Sequence, residues 1–207
     1  NILLIDAYRQ TKGNSEIMLF EKRKARGLSH LNGLLHAIQN RKIISFDYTK
    51  FWDTVSGKRV VEPYALKEFN YRWYLLANER HKDHFQLKTF GLDRISSLEI
   101  SNSTFSKKKI NADDLFRNSF GIISSLDEKP IEIVLSFNAI QGKYIKSLPL
   151  HHSQEIVSED AESLIVKLFL VPTFDFVQQI LSHGELVEVV LPKSLRDEIK
   201  GITSNMH

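Results

Sequence analysis

The chain has 207 residues, of which 42% are hydrophobic and 26% charged, enough for one large globular core or two smaller ones. It contains no cysteine, which excludes a disulfide scaffold, a thiolate zinc site and cysteine catalysis. Its net charge of +3 is unevenly spread: residues 1–42 carry eight Lys/Arg against three Asp/Glu, and residues 130–200 carry six against ten. A basic leading end favours contact with an anionic partner, or is simply a solvated helix face.

The chain opens on Asn1 and the apolar run Ile2–Ile5, but Asp6 and Arg9 interrupt it at once, so it reads as neither signal peptide nor membrane anchor. No apolar run approaches the roughly 20 residues that span a bilayer. A cytoplasmic protein is expected, and a start at Asn suggests a fragment of a longer chain. Residues 1–27 read as a linker or the remnant of an upstream domain, closing on the basic stretch Lys22–Arg26. Leu28, Leu31, Leu34, Leu35 and Ile38 then fall at helical spacing, with Ser29 as the expected N-cap.

From Ile43 the pattern turns to short strands. Ile43–Tyr48, Arg59–Ala65, Tyr71–Ala77, Phe85–Phe90 and Ile95–Ile100 are rich in β-branched and aromatic residues and are separated by turn signals such as Ser56-Gly57 and Asn70. Pro63 places the second strand at an edge or a bulge. Five short strands after one helix suit a small closed barrel, which removes exposed edges, or an open meander on the helix.

Residues 102–129 read as a polar linker with one short helix at Ala112–Asn118. Its Lys107-Lys108-Lys109 run is either solvated or a phosphate contact. A second pattern follows: a strand at Ile131–Phe137, a helix at Ala139–Ser147, strands at Gln154–Val157 and Leu164–Val171, a helix at Phe174–Ser182 ending at Gly184, and a strand at Leu186–Leu191. Ser194 is the expected cap of a last helix. The order β-α-β-β-α-β is the split arrangement of a ferredoxin-like domain, and the fold class is α+β.

Several ordered blocks carry a resemblance. Tyr71-Arg72-Trp73-Tyr74-Leu75-Leu76-Ala77 contains a Trp-Tyr-Leu tripeptide, preceded by Glu62-Pro63-Tyr64-Ala65-Leu66 and followed by Lys88-Thr89-Phe90-Gly91-Leu92-Asp93-Arg94-Ile95. Leu34–Ile38 and Ile44–Tyr48 complete the set. These blocks resemble the WYL domain of bacterial transcriptional regulators. Leu148–Gln154, His183-Gly184 and Leu191–Arg196 resemble the C-terminal extension of WCX type that follows many such domains. The resemblance implies a Sm/SH3-like barrel over residues 28–101, an α/β extension over 130–207, and a homodimer. It also implies a winged helix-turn-helix that binds DNA, which the 27 residues before the match are too few to hold.

What the resemblance implies for function is a nucleic-acid or nucleotide effector bound at the barrel. Phosphates call for Arg or Lys, and bases for aromatic faces. Tyr48, Arg59, Tyr74, Lys88 and Arg94 supply both. Tyr48 shares a face with Ile44 and Phe46 by alternation and would stand at the mouth of the barrel. Arg72, Tyr74 and Leu76 share one face of their strand, and Trp73, Leu75 and Ala77 the other. Plainer roles stay open: Trp73 and Tyr74 as core, Arg94 as an ion pair with Asp93, Arg59 as a solvated surface group. Lys88 keeps a charge where relatives have Arg, without the two-donor fork.

Other constellations carry little. His81 and His84 lack the carboxylate and spacing of a zinc site, and His151-His152 would point apart on a regular element. No glycine-rich phosphate loop, catalytic triad order or paired carboxylates stand out, so no metal, cofactor or catalytic residue is expected. The expected function is therefore the sensor portion of a transcriptional regulator and not an enzyme. The alternative is a dimerisation or interaction module without a small ligand.

Overall fold

The computed structural model describes residues 25–80, 85–110, 112–123 and 128–205. The expectations placed on residues 1–24, including most of the basic stretch Lys22–Arg26, and on His81 and His84 lie outside the described residues.

The described chain opens with a 3-10 turn at Leu28–His30 and a helix α1 at Leu31–Gln39, whose Leu34 and Ala37 are fully buried. Ser29 is not the N-cap. It sits inside the 3-10 turn, which already gives early amides acceptors, as in the His30 N–H to Gly27 carbonyl bond of 3.1 Å.

Five strands follow: β1 (Lys42–Tyr48), β2 (Gly57–Phe69), β3 (Arg72–Glu79), β4 (Leu87–Gly91) and β5 (Ile95–Thr104), with a 3-10 turn at Leu92–Arg94 between the last two. They form an antiparallel sheet in the order β4-β3-β2-β1-β5. The expected closed barrel is not realised: β4 and β5 stand at opposite edges of the sheet and are not paired to each other. β4 has only five residues and runs straight into the 3-10 turn, which sends β5 away to pair with β1.

Pro63 lies in the middle strand rather than at an edge. It is tolerated because pairing of β2 with β1 ends at Val61, and the register against β3 shifts between Pro63 and Ala65. Asn70 and Tyr71 make the tight β2–β3 turn with φ of 49° and 65°, the sign that matches strand twist in a two-residue hairpin.

One face of this sheet meets α1. Ile44, Phe46, Tyr48, Val61, Leu75, Ala77 and Phe90 form a first core there, with Leu34 and Ala37 from the helix and Trp73 half-buried at its margin. A smaller cluster joins Ile43, Tyr64, Leu87 and Phe105.

The second half forms a separate antiparallel sheet in the order β7-β8-β6-β9, from β6 (Ile131–Asn138), β7 (Glu155–Glu159), β8 (Ser163–Leu170) and β9 (Val187–Leu191). Helices α3 (Ala139–Ser147) and α4 (Phe174–Ser182) provide the expected β-α-β-β-α-β order, and α5 (Lys193–Ser204) follows. Asn138 caps α3 and Thr173 caps α4 through side-chain oxygens. Ser194 does not cap α5: Pro192 holds the cap position, and Ser194 is inside the helix. Ile133, Leu135 and Phe137 of β6 alternate into a core with Leu164, Val166 and Leu168 of β8.

The segment between the two sheets carries a short helix α2 (Ala112–Phe116) and is fastened to both. Lys107 and Lys108 are exposed, yet Lys107 Nζ donates to the Tyr64 carbonyl and the Lys108 N–H to the Tyr64 hydroxyl. Phe120 stacks edge-on with Phe69 on one side and Phe176 on the other. The rings of His151 and His152 do not point apart. They stack with centroids 4.1 Å apart, because the pair occupies a turn rather than a regular element.

Candidate ligand pocket at the charged end of the first core

The first core ends in charge. Period-two alternation carries the inward face of β1 through Ile44, Phe46 and Tyr48, and that of β3 through Leu75 and Ala77 to Glu79. On β2, Arg59 precedes the buried Val61 on the same face, and on β4, Lys88 precedes Phe90. The aromatic layer of Phe46, Tyr48 and Phe90 meets edge to face, with centroids 5.2 to 6.2 Å apart. Beyond it lies a pocket of about 400 Å³. Tyr48, Arg59, Lys88 and Arg94 all line it, together with Lys50, Trp52, Glu79, Thr89 and Phe90.

Four of the five site residues expected from sequence thus converge. Tyr74 does not join them. It belongs to the alternate set of β3 positions with Arg72 and Leu76, and it is buried on the other side of the strand. Burial raises the pKa of its hydroxyl above the ordinary tyrosine value. Tyr48 is also buried, and its hydroxyl accepts the Gly91 N–H at 3.2 Å. Burial raises its pKa, a shift opposed by the Arg94 charge, so the ring presents a neutral phenol.

Arg94 closes the pocket over two rings. Its guanidinium carbon lies 5.3 Å from the Tyr48 centroid and 4.9 Å from that of Phe51. Glycine at position 91 permits this fold-back: a Cβ there would stand 2.4 Å from Arg94 Nη2. Arg94 Nε is 3.5 Å from Asp93 Oδ1 but makes no hydrogen bond, although it is shielded from solvent. A buried donor left unbonded costs about 1–3 kcal/mol, a cost that an arriving acceptor would remove.

The opposite wall holds an ion-pair cluster around a residue that sequence reasoning missed. Glu79 is 4% exposed, with Lys88 Nζ 2.5 Å from its Oε2 and Arg59 Nε 3.5 Å from its Oε1. Lys50, Phe51 and Trp52 were also missed. They lie in the β1–β2 connection, where no periodicity marks them. Phe51 is 70% exposed and Trp52 76% exposed, with Lys50 Nζ 5.7 Å from the Trp52 ring.

Phe51 also lines a neighbouring depression of about 380 Å³ with Arg26, Tyr71, Arg72 and Trp73. Arg94, over the Phe51 ring, links the two depressions, and Asp93 lies between Arg94 and Arg72, 3.5 and 3.6 Å from them. Trp73 is both core margin and surface wall. A larger cavity of about 570 Å³ at the junction of the halves contains none of the expected site residues; its Lys67 lies over the Phe116 ring at 4.5 Å.

The pocket is wired to the second half through β4. Thr89 Oγ1 donates to the Ile122 carbonyl at 3.2 Å, and the Ile122 N–H donates to Asp175 Oδ2 at 2.9 Å in the first turn of α4. Gly121, with φ of 84°, makes this approach feasible: a Cβ there would fall 2.1 Å from Asp175 Oδ2. Among the described residues no cluster of His, Asp and Glu could hold a metal ion, and no helix is long and apolar enough to cross a membrane.

Comparison with known proteins places these features. A WYL domain model matches residues 29–100, and a WCX domain model matches residues 129–206. No curated protein matches the chain. Among solved structures, a CRISPR Cas-related protein is similar over 86% of this chain and 50% of its own, with a TM-score of 0.51 and 11% identity, a likeness of fold. The proteasome accessory factor B/C (PafBC) of Arthrobacter aurescens matches over 86% of this chain and 27% of its own, with a TM-score of 0.37 and 17% identity. The chain thus spans about half or less of the length of these two structures. On these two matches, which together span most of the chain, it belongs to the WYL-domain family, its WYL domain followed by a WCX domain.

Proposed function

We propose that this chain is the effector-sensing portion of a transcriptional regulator, and that a single-stranded nucleic acid or nucleotide binds in the pocket lined by Tyr48, Arg59, Lys88 and Arg94. The observation that carries the reading is convergence. Four cations (Lys50, Arg59, Lys88 and Arg94) and the exposed ring of Trp52 meet at one opening, with the exposed Phe51 against Arg94 at its side, and Arg94 keeps an unbonded buried donor there. Phosphates would engage the cations and bases would stack on the rings, each stacked base contributing about 1–3 kcal/mol. The reading is of a sensor and not an enzyme, and a turnover assay with nucleotides and a divalent metal tests that.

To act as a signal, the effector must favour one arrangement of the two halves over another. The Thr89–Ile122–Asp175 bridge supports a route from pocket to WCX domain, and from there to a DNA-binding domain elsewhere in the full regulator. The interleaved strand order β7-β8-β6-β9 supports a ferredoxin-like WCX domain. A homodimer is the proposed assembly, supported by the exposed Ile140 and Tyr144 of α3 and Leu148 just past its end, and sedimentation equilibrium checks it.

The test of the effector is fluorescence anisotropy with a labelled oligothymidylate of about eight nucleotides, at two salt concentrations. Binding that weakens with salt and falls at least about tenfold in Arg94→Ala is expected. A folded sample that binds neither this probe nor mononucleotides overturns the proposal. That outcome leaves the dimerisation or interaction module, which these exposed apolar residues favour, as the standing reading.

A further inference from the structure

The pocket that gathers cations also holds an anion of its own. Glu79 ends the inward face of β3 and is 4% exposed, with Lys88 Nζ and Arg59 Nε at 2.5 and 3.5 Å from its two oxygens. These are two of the four cations assigned above to effector phosphates, so one pair of charges faces two claimants. The other two cations have different neighbours: Lys50 Nζ is 3.9 Å from Asp53, and Arg94 Nε is 3.5 Å from Asp93. Every cation of the pocket thus faces a carboxylate, but Asp53 and Asp93 keep 44% and 17% of their side chains exposed, whereas Glu79 is buried inside the pocket between two of the cations.

We propose that Glu79 is an internal competitor of the effector. A phosphate enters by drawing Lys88, and then Arg59, away from the carboxylate, and this exchange sets the affinity and the salt dependence of the site. The inference rests on reading the pocket as a phosphate site.

Physical differences between the partners decide which of them moves. Glu79 is enclosed by the strand ladder opposite Val61, so its carboxylate stays in place. The Lys88 side chain is 38% exposed and the Arg59 side chain 29% exposed. A lysine ammonium on a flexible stem swings readily from one acceptor to another. A buried carboxylate stripped of a partner is costly, and it also repels a second anion across a poorly screened gap. Both effects oppose the effector, and both vanish when the carboxylate is replaced by an amide of the same shape.

The experiment compares the unaltered chain with Glu79→Gln, binding the same labelled oligothymidylate over a series of salt concentrations, after thermal melts have established that both are folded. The variant is expected to bind about tenfold more tightly. Its plot of log affinity against log salt should be steeper by roughly 0.7, the increment for one more neutralised phosphate on a single strand. A purely structural role for Glu79 would leave that slope unchanged.

Equal or weaker affinity in a folded variant overturns the competition while leaving the effector reading intact if the unaltered chain binds. Failure of both folded proteins to bind overturns the effector reading and the competition with it. Binding by the variant alone upholds the competition and removes the oligonucleotide as effector of the unaltered chain. Should Glu79→Gln not fold, the carboxyl-carbon resonance of Glu79 in the unaltered chain decides. A shift on saturation with the probe supports the exchange, and an unmoved resonance overturns it.

Discussion

The two sheets of this protein use the same alternation to different ends. In the second, β6 and β8 place apolar side chains regularly on one face, and the partly exposed charges pair at the surface, as in Lys146 with Glu159 and Lys167 with Glu155. In the first, β3 buries four consecutive residues, Tyr74 to Ala77, and continues the core face one step further to a charged residue, Glu79. The second sheet spends its inward positions on packing, whereas the first gives up its last layer to ions. Where local rules of patterning are broken inside a well-formed core, function is the usual reason. Here the breach coincides with the convergence of Arg59, Lys88 and Arg94.

The largest expected effect bears on the packed sheet. Phe137 is 1% exposed in the second core, and Phe137→Ala should lower unfolding stability by about 3–5 kcal/mol, measured by chemical denaturation. A loss below about 1 kcal/mol would show that β6 does not centre a close-packed core, and the contrast between the sheets would fail.

A smaller effect sharpens the other side of the comparison. Trp52 is 76% exposed, so Trp52→Ala should leave stability within about 0.5 kcal/mol while weakening oligonucleotide binding by about 1–3 kcal/mol. Anisotropy and thermal melts on one sample separate the two. Unchanged affinity would remove Trp52 from the binding surface and confine the site to the cations.

The last effect concerns pH and lies in the second half. Burial, reinforced by the neighbouring His152 charge, lowers the His151 pKa from 6.5 to about 4, and a hydrogen bond involving Arg117 partly opposes this. Between those values the unfolded chain takes up a proton that the folded chain refuses. This contribution to stability is therefore fully present above about pH 6.5 and is lost as pH falls towards 4. Thermal midpoints of the unaltered chain should fall more steeply across that window than those of His151→Gln. Parallel slopes would mean that His151 takes up its proton as readily folded as unfolded.

Much of this was legible in the sequence, for definable reasons. Strands and helices announced themselves through periods of two and 3.6, so α3 and α4 have the bounds expected of them. Tyr48, Arg59, Lys88 and Arg94 were recoverable from residue chemistry and the family resemblance. Glu79 was within reach, since extending the Leu75, Ala77 face by one step places it beside them. Tyr74 could have been set aside by the same parity, because its face is the reverse of the one that Leu75 shares with Tyr48. Trp52 and Phe51 carry no such mark, for loops have no period. The choice between a closed barrel and an open sheet was not legible either: whether β4 and β5 meet depends on pairings distant in sequence, which local patterning does not encode. Ser29 and Ser194 have the chemistry of helix caps, but the chain path on entering each helix assigned the cap position to His30 and Pro192 instead.

The peptide unit ending at Ile122 brings its own N–H, and the residue its carbonyl, to opposite halves of the protein: Asp175 receives the first bond and Thr89 supplies the second. Peptide groups are planar and resist twisting, so only the torsions at the Ile122 Cα allow the two bonds to move independently. The junction consequently behaves less like a tether, which fixes separation, than like a universal joint, which constrains angle. Under the sensor reading, a tilt of β4 at the pocket floor would be passed on as a change of heading for α4.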